Sequence, residues 1–391
     1  MEEFTYSIYE ARGQRPLIVY GAGAVGEVVY HGLKLWGITP DFFCDHDPEL
    51  KEFKRITVIP PLEMTRYKEP IVIVAFKDFA RKAVRILKKF GINKYYSARK
   101  LINENFEGID LSQRAKEFLV RKKCYENIIE HVEQDKYAYC NHIEFMITER
   151  CTLNCTDCSA CIPLFKKPRN LKINDSFSAF DRLLESIDFL EELSVLGGEP
   201  LLHPQLGDLL SRYHENKKIG MIALYTNGTI LPTEQLLDRL ESPNIWVHIS
   251  NYGKLSNQVS ALCEIFKRRG INYFVRKYDE WQSAGTFYDR KKTSAQLEVQ
   301  YSKCFKARCY SFYDSCLYTC SRASNAWAAG KIPRPEYVDF STERTLSAQK
   351  NELENLMQLQ FSKACQYCDG FILGKSNVVP AIQRGKNYEC T

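Results

Sequence analysis

The first hundred residues alternate between unbroken apolar runs of strand length and stretches whose apolar positions recur at helical spacing. Pro16-Leu-Ile-Val-Tyr20 is the first such run. Val25, Val28, Val29, Leu33 and Trp36 then mark one face of a helix that Gly37 stops. Asp41-Phe-Phe-Cys44 and Ile71-Val-Ile-Val-Ala75 predict two more strands, followed by a helix over Lys77–Phe90 and a strand over Tyr95–Ser97. Alternation of this kind predicts a small parallel sheet with crossover helices. Residues 101–139 carry helical spacing from Ser112 through Leu119 and on through Ile128 and Val132, and are expected to be a helical connector.

The same alternation resumes over residues 140–290. Strands are predicted at Ile143–Thr148, Leu193–Leu196, Met221–Tyr225, Ile245–Ile249 and Ile271–Val275. Between them lie a helix marked by Phe177, Phe180, Leu184, Ile187 and Leu190, a short one over Pro204–Tyr213, one capped by Thr233 and running through Leu240, and one over Ser256–Arg269 ending at Gly270. Functional residues of such sheets gather at the C-terminal ends of the strands. The expected fold class is α/β.

Composition narrows the class. The 391 residues are 45% hydrophobic with a net charge of +6, enough for buried cores and too little clustered charge for a nucleic-acid groove; Lys267-Arg-Arg269 and Arg290-Lys-Lys292 read as solvated faces. No run of about eighteen apolar residues calls for a membrane span. The start lacks the basic-then-apolar layout of a signal peptide. Fifteen cysteines without that signal point to metal ligation in a reducing cytoplasm, not to disulfides.

Cys151-Thr-Leu-Asn-Cys155-Thr-Asp-Cys158 is the sharpest chemical signal. Three thiolates spaced CxxxCxxC ligate three irons of a four-iron cluster and leave one iron open, whereas electron carriers of the ferredoxin type normally supply a fourth Cys. About forty residues on stands Gly197-Gly198-Glu199-Pro200. The two motifs together resemble the radical S-adenosylmethionine (radical SAM) superfamily. Zinc is the alternative, but it prefers paired CxxC knuckles or Cys/His mixtures.

The resemblance implies a partial (β/α)6 barrel over residues 140–290. It implies a 4Fe-4S cluster on Cys151, Cys155 and Cys158 and S-adenosylmethionine chelated at the open iron. One electron from a flavodoxin- or ferredoxin-type donor would yield a 5′-deoxyadenosyl radical that takes hydrogen from a substrate. By the same resemblance Gly197, Gly198, Glu199 and Pro200 meet the methionine amine, Thr226 and Asn227 line the cofactor, and Ser250 and Asn251 approach its ribose or carboxylate. Cys161 follows Cys158 by three positions; as a fourth ligand it would close the cluster and make a non-catalytic carrier, and it is expected to be a non-ligand. Cys44, Cys124, Cys140 and Cys263 are expected in cores.

Residues 291–391 hold Cys304, Cys309, Cys316, Cys320, Cys365, Cys368 and Cys390. This density, with the knuckle Cys365-Gln-Tyr-Cys368 and a hairpin expected at Cys316–Cys320, resembles the auxiliary-cluster (SPASM or twitch) domains of radical SAM enzymes. One auxiliary 4Fe-4S cluster is implied, on Cys320, Cys365, Cys368 and either Cys304 or Cys309, with a structural zinc in the same thiolates as the alternative. Cys316 and Cys390 are left over.

At the N-terminus, Gly21-Ala-Gly23-Ala-Val-Gly26 follows the first strand, and Asp45 closes the second. A GxGxxG turn in that context aims backbone amides at a phosphate, with the acid on a ribose. Residues 1–100 look like the small nucleotide-binding-like domains attached to some sugar-modifying enzymes; a Rossmann-like packing module is the equal alternative. The expectation is an enzyme acting on a C–H bond of a sugar or nucleotide-linked sugar, by oxidation first and epimerisation second. Modification of a ribosomal peptide and a nicotinamide-dependent oxidoreductase are the other enzyme readings. Tyr225, Tyr252, Arg276 and Trp281 are candidate substrate contacts at strand ends; no residue is assigned a catalytic role, and oligomeric state is left open.

Overall fold

The computed structural model describes residues 1–76, 80–132, 138–372 and 374–385. They divide into two compact units, Met1–Tyr137 and Ala138–Thr391. The expectations placed on Lys77–Phe79 and Cys390 lie outside the described residues. Among the described residues no helix is long and apolar enough to cross a membrane, and the described cysteines are free thiols.

The first unit is a six-stranded sheet of β1 (Leu17–Tyr20), β2 (Phe42–Cys44), β3 (Glu52–Phe53), β4 (Ile56–Ile59), β5 (Ile71–Val74) and β6 (Tyr95–Ser97) in the order β3-β4-β2-β1-β5-β6. All pairs are parallel except β3 with β4. β1 and β5 are buried along their whole length, as their unbroken apolar runs require. The helix Ala24–Leu35 follows the glycine turn, with Gly37 in the left-handed region behind it. The helices Gln113–Val120 and Lys122–Glu130 belong to this same unit. Ser112 caps the first of them, and Tyr125 of the second is buried and donates to Val74 O at 2.7 Å. The stretch expected as a connector is thus part of the first unit's packing as far as it is described. Cys44 and Cys124 are buried there.

The second unit is built on one eight-stranded sheet. Its strands are β7 (Tyr139–Thr148), β8 (Phe189–Gly197), β9 (Ile219–Thr226), β10 (Ile245–Asn251) and β11 (Asn272–Lys277), with β13 (Tyr310–Tyr313), β14 (Cys316–Tyr318) and β15 (Tyr337–Asp339). The order is β11-β10-β9-β8-β7-β13-β14-β15. β7 through β11 run parallel, and β13 joins β7 in parallel on the other edge. The cysteine-rich C-terminal strands therefore extend the sheet that carries the barrel-like strands. A separate antiparallel pair, β12 (Trp281–Gln282) with β16 (Asn377–Val378), lies outside that sheet.

One face of the large sheet packs on helices. Ile143, Phe145, Leu193, Val195, Ile222, Leu224, Val247 and Ile249 form a core with Phe180, Leu183, Leu209 and Leu262. The burial of such apolar side chains stabilises the unit by about 1.5–3 kcal/mol each. The alternate residues of the same strands point to the opposite, inner face. Cys140 is in the helix-side core and Cys263 packs against it.

Candidate functional site

The three motif cysteines occupy the loop that follows β7. Glycines let the next strand approach that loop. A Cβ on Gly197 would lie 2.3 Å from Thr148 O, and one on Gly198 2.0 Å from Arg150 O. Gly198 N donates to Thr148 O at 2.9 Å and Glu199 N to Arg150 O at 2.8 Å. The GGEP backbone is thereby stitched to the residues that lead into Cys151.

Glu199 is fully buried. Its carboxylate accepts Asn227 N at 2.8 Å and Leu201 N at 3.2 Å. Burial nonetheless raises its pKa to about 7, against the opposing backbone amides and Thr226. No cation offsets that burial among these contacts, so the pocket suits an ammonium group. Asn227 completes the constellation: its side-chain amide donates to Thr152 Oγ1 at 3.0 Å and to Cys151 Sγ at 3.5 Å. Cys151, Glu199 and Asn227 thus meet, while Thr226 bonds Gly228 N and Glu199. Ser250 bonds the Tyr252 hydroxyl, and Asn251 turns back to Gly253 N at 2.9 Å. Tyr252 stacks at 5.8 Å on Tyr278, meets Trp281 edge-on, and senses the charge of Cys155 and Cys158.

Each motif sulfur has a donor facing it. Leu153 N lies 3.4 Å from Cys151 Sγ. Gln383 Nε2 lies 3.3 Å from Cys155 Sγ. The backbone amides of Ala160, Cys161 and Ile162 bond Cys158. Burial pushes all three thiols up, Cys151 to about 12, so thiolates here need a cationic metal partner. A donor set of three mutually sensing sulfurs, each facing N–H groups, fits a 4Fe-4S cluster with one iron left open. Cys161 is buried with Ala326 and Ile332, and its thiol faces Ser159 O at 3.8 Å, within electrostatic reach of both Cys158 and Cys368.

A small cavity of about 40 Å³ lies among the C-terminal cysteines. Cys304, Cys320, Cys365 and Cys368 line it together with Lys306, Thr319, Arg322 and Phe371. Phe371 N and Gly370 N donate to Cys304 Sγ and Cys368 Sγ, each at 3.3 Å. Thr319 Oγ1 and Arg322 Nε are buried without a hydrogen-bond partner. Four thiols and two orphaned donors on one wall fit a sulfide-bearing cluster, which accepts hydrogen bonds at sulfur. Cys309 is not on that wall; its thiol donates to Phe305 O at 3.5 Å. Cys316 lies in the core beside Tyr313 and Tyr318. Among the described residues no three His, Cys, Asp or Glu side chains converge on the position of one metal ion.

On the inner face of the sheet lies a charged network of which only Tyr225 was among the sequence-based expectations. Lys306 Nζ meets Glu144 Oε1 at 2.6 Å. His142 reaches Glu144 at 3.7 Å and Glu192 at 3.5 Å. Glu192 accepts Ser194 Oγ at 2.5 Å and Tyr225 OH at 3.2 Å, and Tyr225 stacks on His248. Burial opposes the charge of Glu144, but Lys306 and His142 outweigh it and hold the carboxyl down to about 2. The polar residues alternating with apolar ones, His142 and Glu144 in β7 and Glu192 and Ser194 in β8, were the available signal. Arg276 lies over the Tyr278 ring at 5.1 Å.

In the first unit the glycine turn is set by close packing. A Cβ on Gly26 would lie 2.0 Å from Gly21 O, and one on Gly21 2.5 Å from Ala75 O, whereas Gly23 has open space. Asp45 accepts Ala22 N at 2.8 Å and Asp47 N at 3.1 Å, so its carboxylate braces the turn.

Residues 145–250 match the family model described as Radical SAM superfamily. The mouse (Mus musculus) "Molybdenum cofactor biosynthesis protein 1" is 30% identical over 132 residues, which are 33% of this chain and 20% of that protein. A "GTP 3',8-cyclase" of Helicobacter pylori is 27% identical over 96 residues, 23% of this chain and 28% of that protein. The chain thus spans well under half the length of these curated relatives. Among solved structures, BtrN in complex with AdoMet and 2-DOIA aligns at 16% identity and a TM-score of 0.35, covering 59% of this chain and 92% of that one. Streptococcus suis SuiB aligns at 17% identity and a TM-score of 0.30, covering 55% and 47%. The cysteine loop and the GGEP segment both fall within the matched residues 145–250, so that stretch is a radical SAM domain, of a superfamily whose enzymes use a 4Fe-4S cluster and S-adenosylmethionine.

Proposed function

We propose that this radical SAM enzyme oxidises a carbinol carbon of a polyhydroxylated small molecule, a sugar or a nucleotide-linked sugar. Cys151, Cys155 and Cys158 hold the first cluster, and Cys304, Cys320, Cys365 and Cys368 hold an auxiliary one in a SPASM- or twitch-like element. Bound S-adenosylmethionine supplies the hydrogen-abstracting radical. Glu199 receives the methionine ammonium, with the Gly197, Gly198 and Pro200 backbone beside it. Asn227 and Thr226 orient the sulfonium next to Cys151, and Ser250 and Asn251 face the ribose.

The observation that carries the oxidation reading is the Lys306–Glu144 pair. Lys306 borders the four-cysteine cavity, and Glu144 stands on the inner face of the sheet. Glu144 precedes Thr148, the last residue of β7, by four residues, about 13 Å along a strand. A carbinol lying between the motif loop and this network gives its hydrogen atom to the radical. Its hydroxyl proton passes to the Glu192–His142 pair, and a cluster held by Cys304, Cys320, Cys365 and Cys368 would supply the one-electron acceptor needed to leave a carbonyl. Charge on the inner face in place of packed Val, Ile and Leu supports a polar substrate. The nucleotide-linked form rests on the Gly21–Gly26 turn, whose Asp45 is already engaged by Ala22 N.

The test is an anaerobic assay with reductant, S-adenosylmethionine and polyols, amino sugars or nucleotide sugars deuterated at the carbinol carbon. Deuterium in 5′-deoxyadenosine and a carbonyl product are expected. Transfer only from peptide substrates would replace this reading with peptide modification, and product with inverted configuration would replace it with epimerisation.

A further inference from the structure

The sequence gives residues 374–385 no periodicity and no motif, yet this segment closes over the cysteine loop. β16 pairs with β12, and Ser283, next to β12, donates to Asp157 Oδ1 at 2.8 Å. The chain then crosses the loop antiparallel to it, with Gln383 opposite Cys155. Thr156 N donates to Ile382 O, and Arg384 N to Asn154 O, both at 2.8 Å. Arg384 Nη1 reaches Pro163 O at 3.2 Å. This is an isolated β-bridge onto the cysteine loop, and its flanking hydrogen bonds hold the loop's backbone in place.

Gln383 is the residue that turns this strap toward the metal. Its Oε1 accepts Asn154 N at 2.7 Å. Its Nε2 donates to Ala381 O at 2.7 Å and to Cys155 Sγ at 3.3 Å. The network admits one amide orientation only. Flipping it would set the oxygen against a carbonyl and a sulfur, and the NH2 against an N–H. A neutral donor is therefore held against one specific thiolate.

We propose that the strap Ala381–Arg384 is a wall of the first-cluster site and that Gln383 is a positioning residue for Cys155 that sets the reduction potential of that cluster. The proposal rests on the assignment of Cys151, Cys155 and Cys158 as the cluster's ligands. The physical basis is that hydrogen bonds to ligand sulfur stabilise the more negative, reduced state and so raise the potential. A raised potential eases loading of the electron that S-adenosylmethionine cleavage consumes. The strap also covers one side of an oxygen-sensitive centre.

Two variants separate the donor from the strap. Gln383→Glu keeps an acceptor for Asn154 N but places a carboxylate oxygen against Cys155. Gln383→Met has similar length and neither function. The full-length, iron-loaded protein is titrated potentiometrically with EPR detection, with and without S-adenosylmethionine, alongside iron content. The first cluster is the signal that S-adenosylmethionine perturbs, and the auxiliary cluster serves as the internal control. The expected order of potential is wild type, then Gln383→Met, then Gln383→Glu as the most negative, with the auxiliary signal unmoved. Selective loss of the first cluster with the auxiliary one retained also supports the proposal. Full iron content with the wild-type potential in both variants would overturn it. A wild-type protein without any S-adenosylmethionine-sensitive signal would sink the cluster assignment itself, and this proposal with it.

Discussion

Lys306 Nζ lies 2.6 Å from Glu144 Oε1, and this ion pair ties the turn after Cys304 to the inner face of β7. Glu144 is 3% exposed at its side chain and Lys306 21%, so the pair is mostly desolvated. Removing one partner leaves the other charge buried. Lys306→Met is expected to destabilise the protein by about 3 kcal/mol, the low end for a buried pair because the lysine keeps some water. The double variant Glu144→Gln/Lys306→Met should lose less than the sum of the two single changes. Urea midpoints of the four proteins in a cycle check this; strict additivity would dissolve the pair's importance.

The same pair predicts an acid dependence. Lys306 and His142 overcome burial and hold Glu144 at about 2, below its ordinary 4.5. The folded protein therefore binds fewer protons than the unfolded chain between these values. Its Glu144 contribution is full above pH 4.5 and is lost as the pH falls through about 2. Stability measured from pH 6 down to pH 3 should fall more steeply in wild type than in Lys306→Met, as about one proton's worth of slope is removed. Parallel curves would contradict it.

Much of the parallel scaffold was legible because its strands are unbroken apolar runs. What was missed has local reasons. The β3–β4 hairpin turns at Lys54 and Arg55, both in the left-handed region, where an Asn-Gly or Asp-Gly would have announced it. β13 and β14 turn likewise at Asp314-Ser315, before the position expected from the cysteines. The helix expected from Ser256 begins at Val259 because the Ser256 hydroxyl bonds Asn227 O at 2.7 Å and Ser250 O at 3.0 Å. Cysteine spacing left Cys304 and Cys309 equivalent. Only the chain path after Lys303 puts one on the cavity wall and the other beside Phe305 O. Gln383 had no signal, since its role depends on a loop more than two hundred residues earlier.

Gly198 makes a local prediction. Its Cβ would sit 2.0 Å from Arg150 O and 3.0 Å from Cys151 Cβ, with backbone on one side and a motif cysteine on the other. Gly198→Ala must displace the cysteine loop. We expect the first cluster's iron to be lost while the auxiliary iron and the helical content are kept. Gly207→Ala, with no atom within 4 Å of its Cβ position, is the control.

The cavity wall predicts an iron count. Two cubanes give about eight irons per chain and one gives about four. Cys304→Ala, Cys320→Ala and Cys365→Ala should each reduce the count toward four after anaerobic loading, whereas Cys309→Ala should leave it near eight. Wild type with about four irons and one zinc would place zinc on the four thiolates instead. Loss of iron from Cys309→Ala, with Cys304→Ala unchanged, would exchange their roles.

Thr319 and Arg322 turn the orphaned donors of the cavity into a test with two opposite signs. Thr319 Oγ1 is buried without a partner, a state that costs about 1–3 kcal/mol while nothing accepts its proton. Thr319→Val removes the hydroxyl at nearly constant volume. In the iron-free protein the variant should therefore be as stable as wild type or more so, by about 1 kcal/mol. In the loaded protein the hydroxyl would be a donor facing a cluster sulfur, and its removal should then make the auxiliary potential more negative. Arg322→Met should move the potential in the same direction and further, because it also removes a positive charge; its guanidinium, stacked 4.2 Å over Phe287, is held in place by Gly285 O. Thermal melts of iron-free protein and redox titrations of loaded protein read the two signs separately. A hydroxyl that merely packs the wall would leave the potential where it was, and only the first effect would remain.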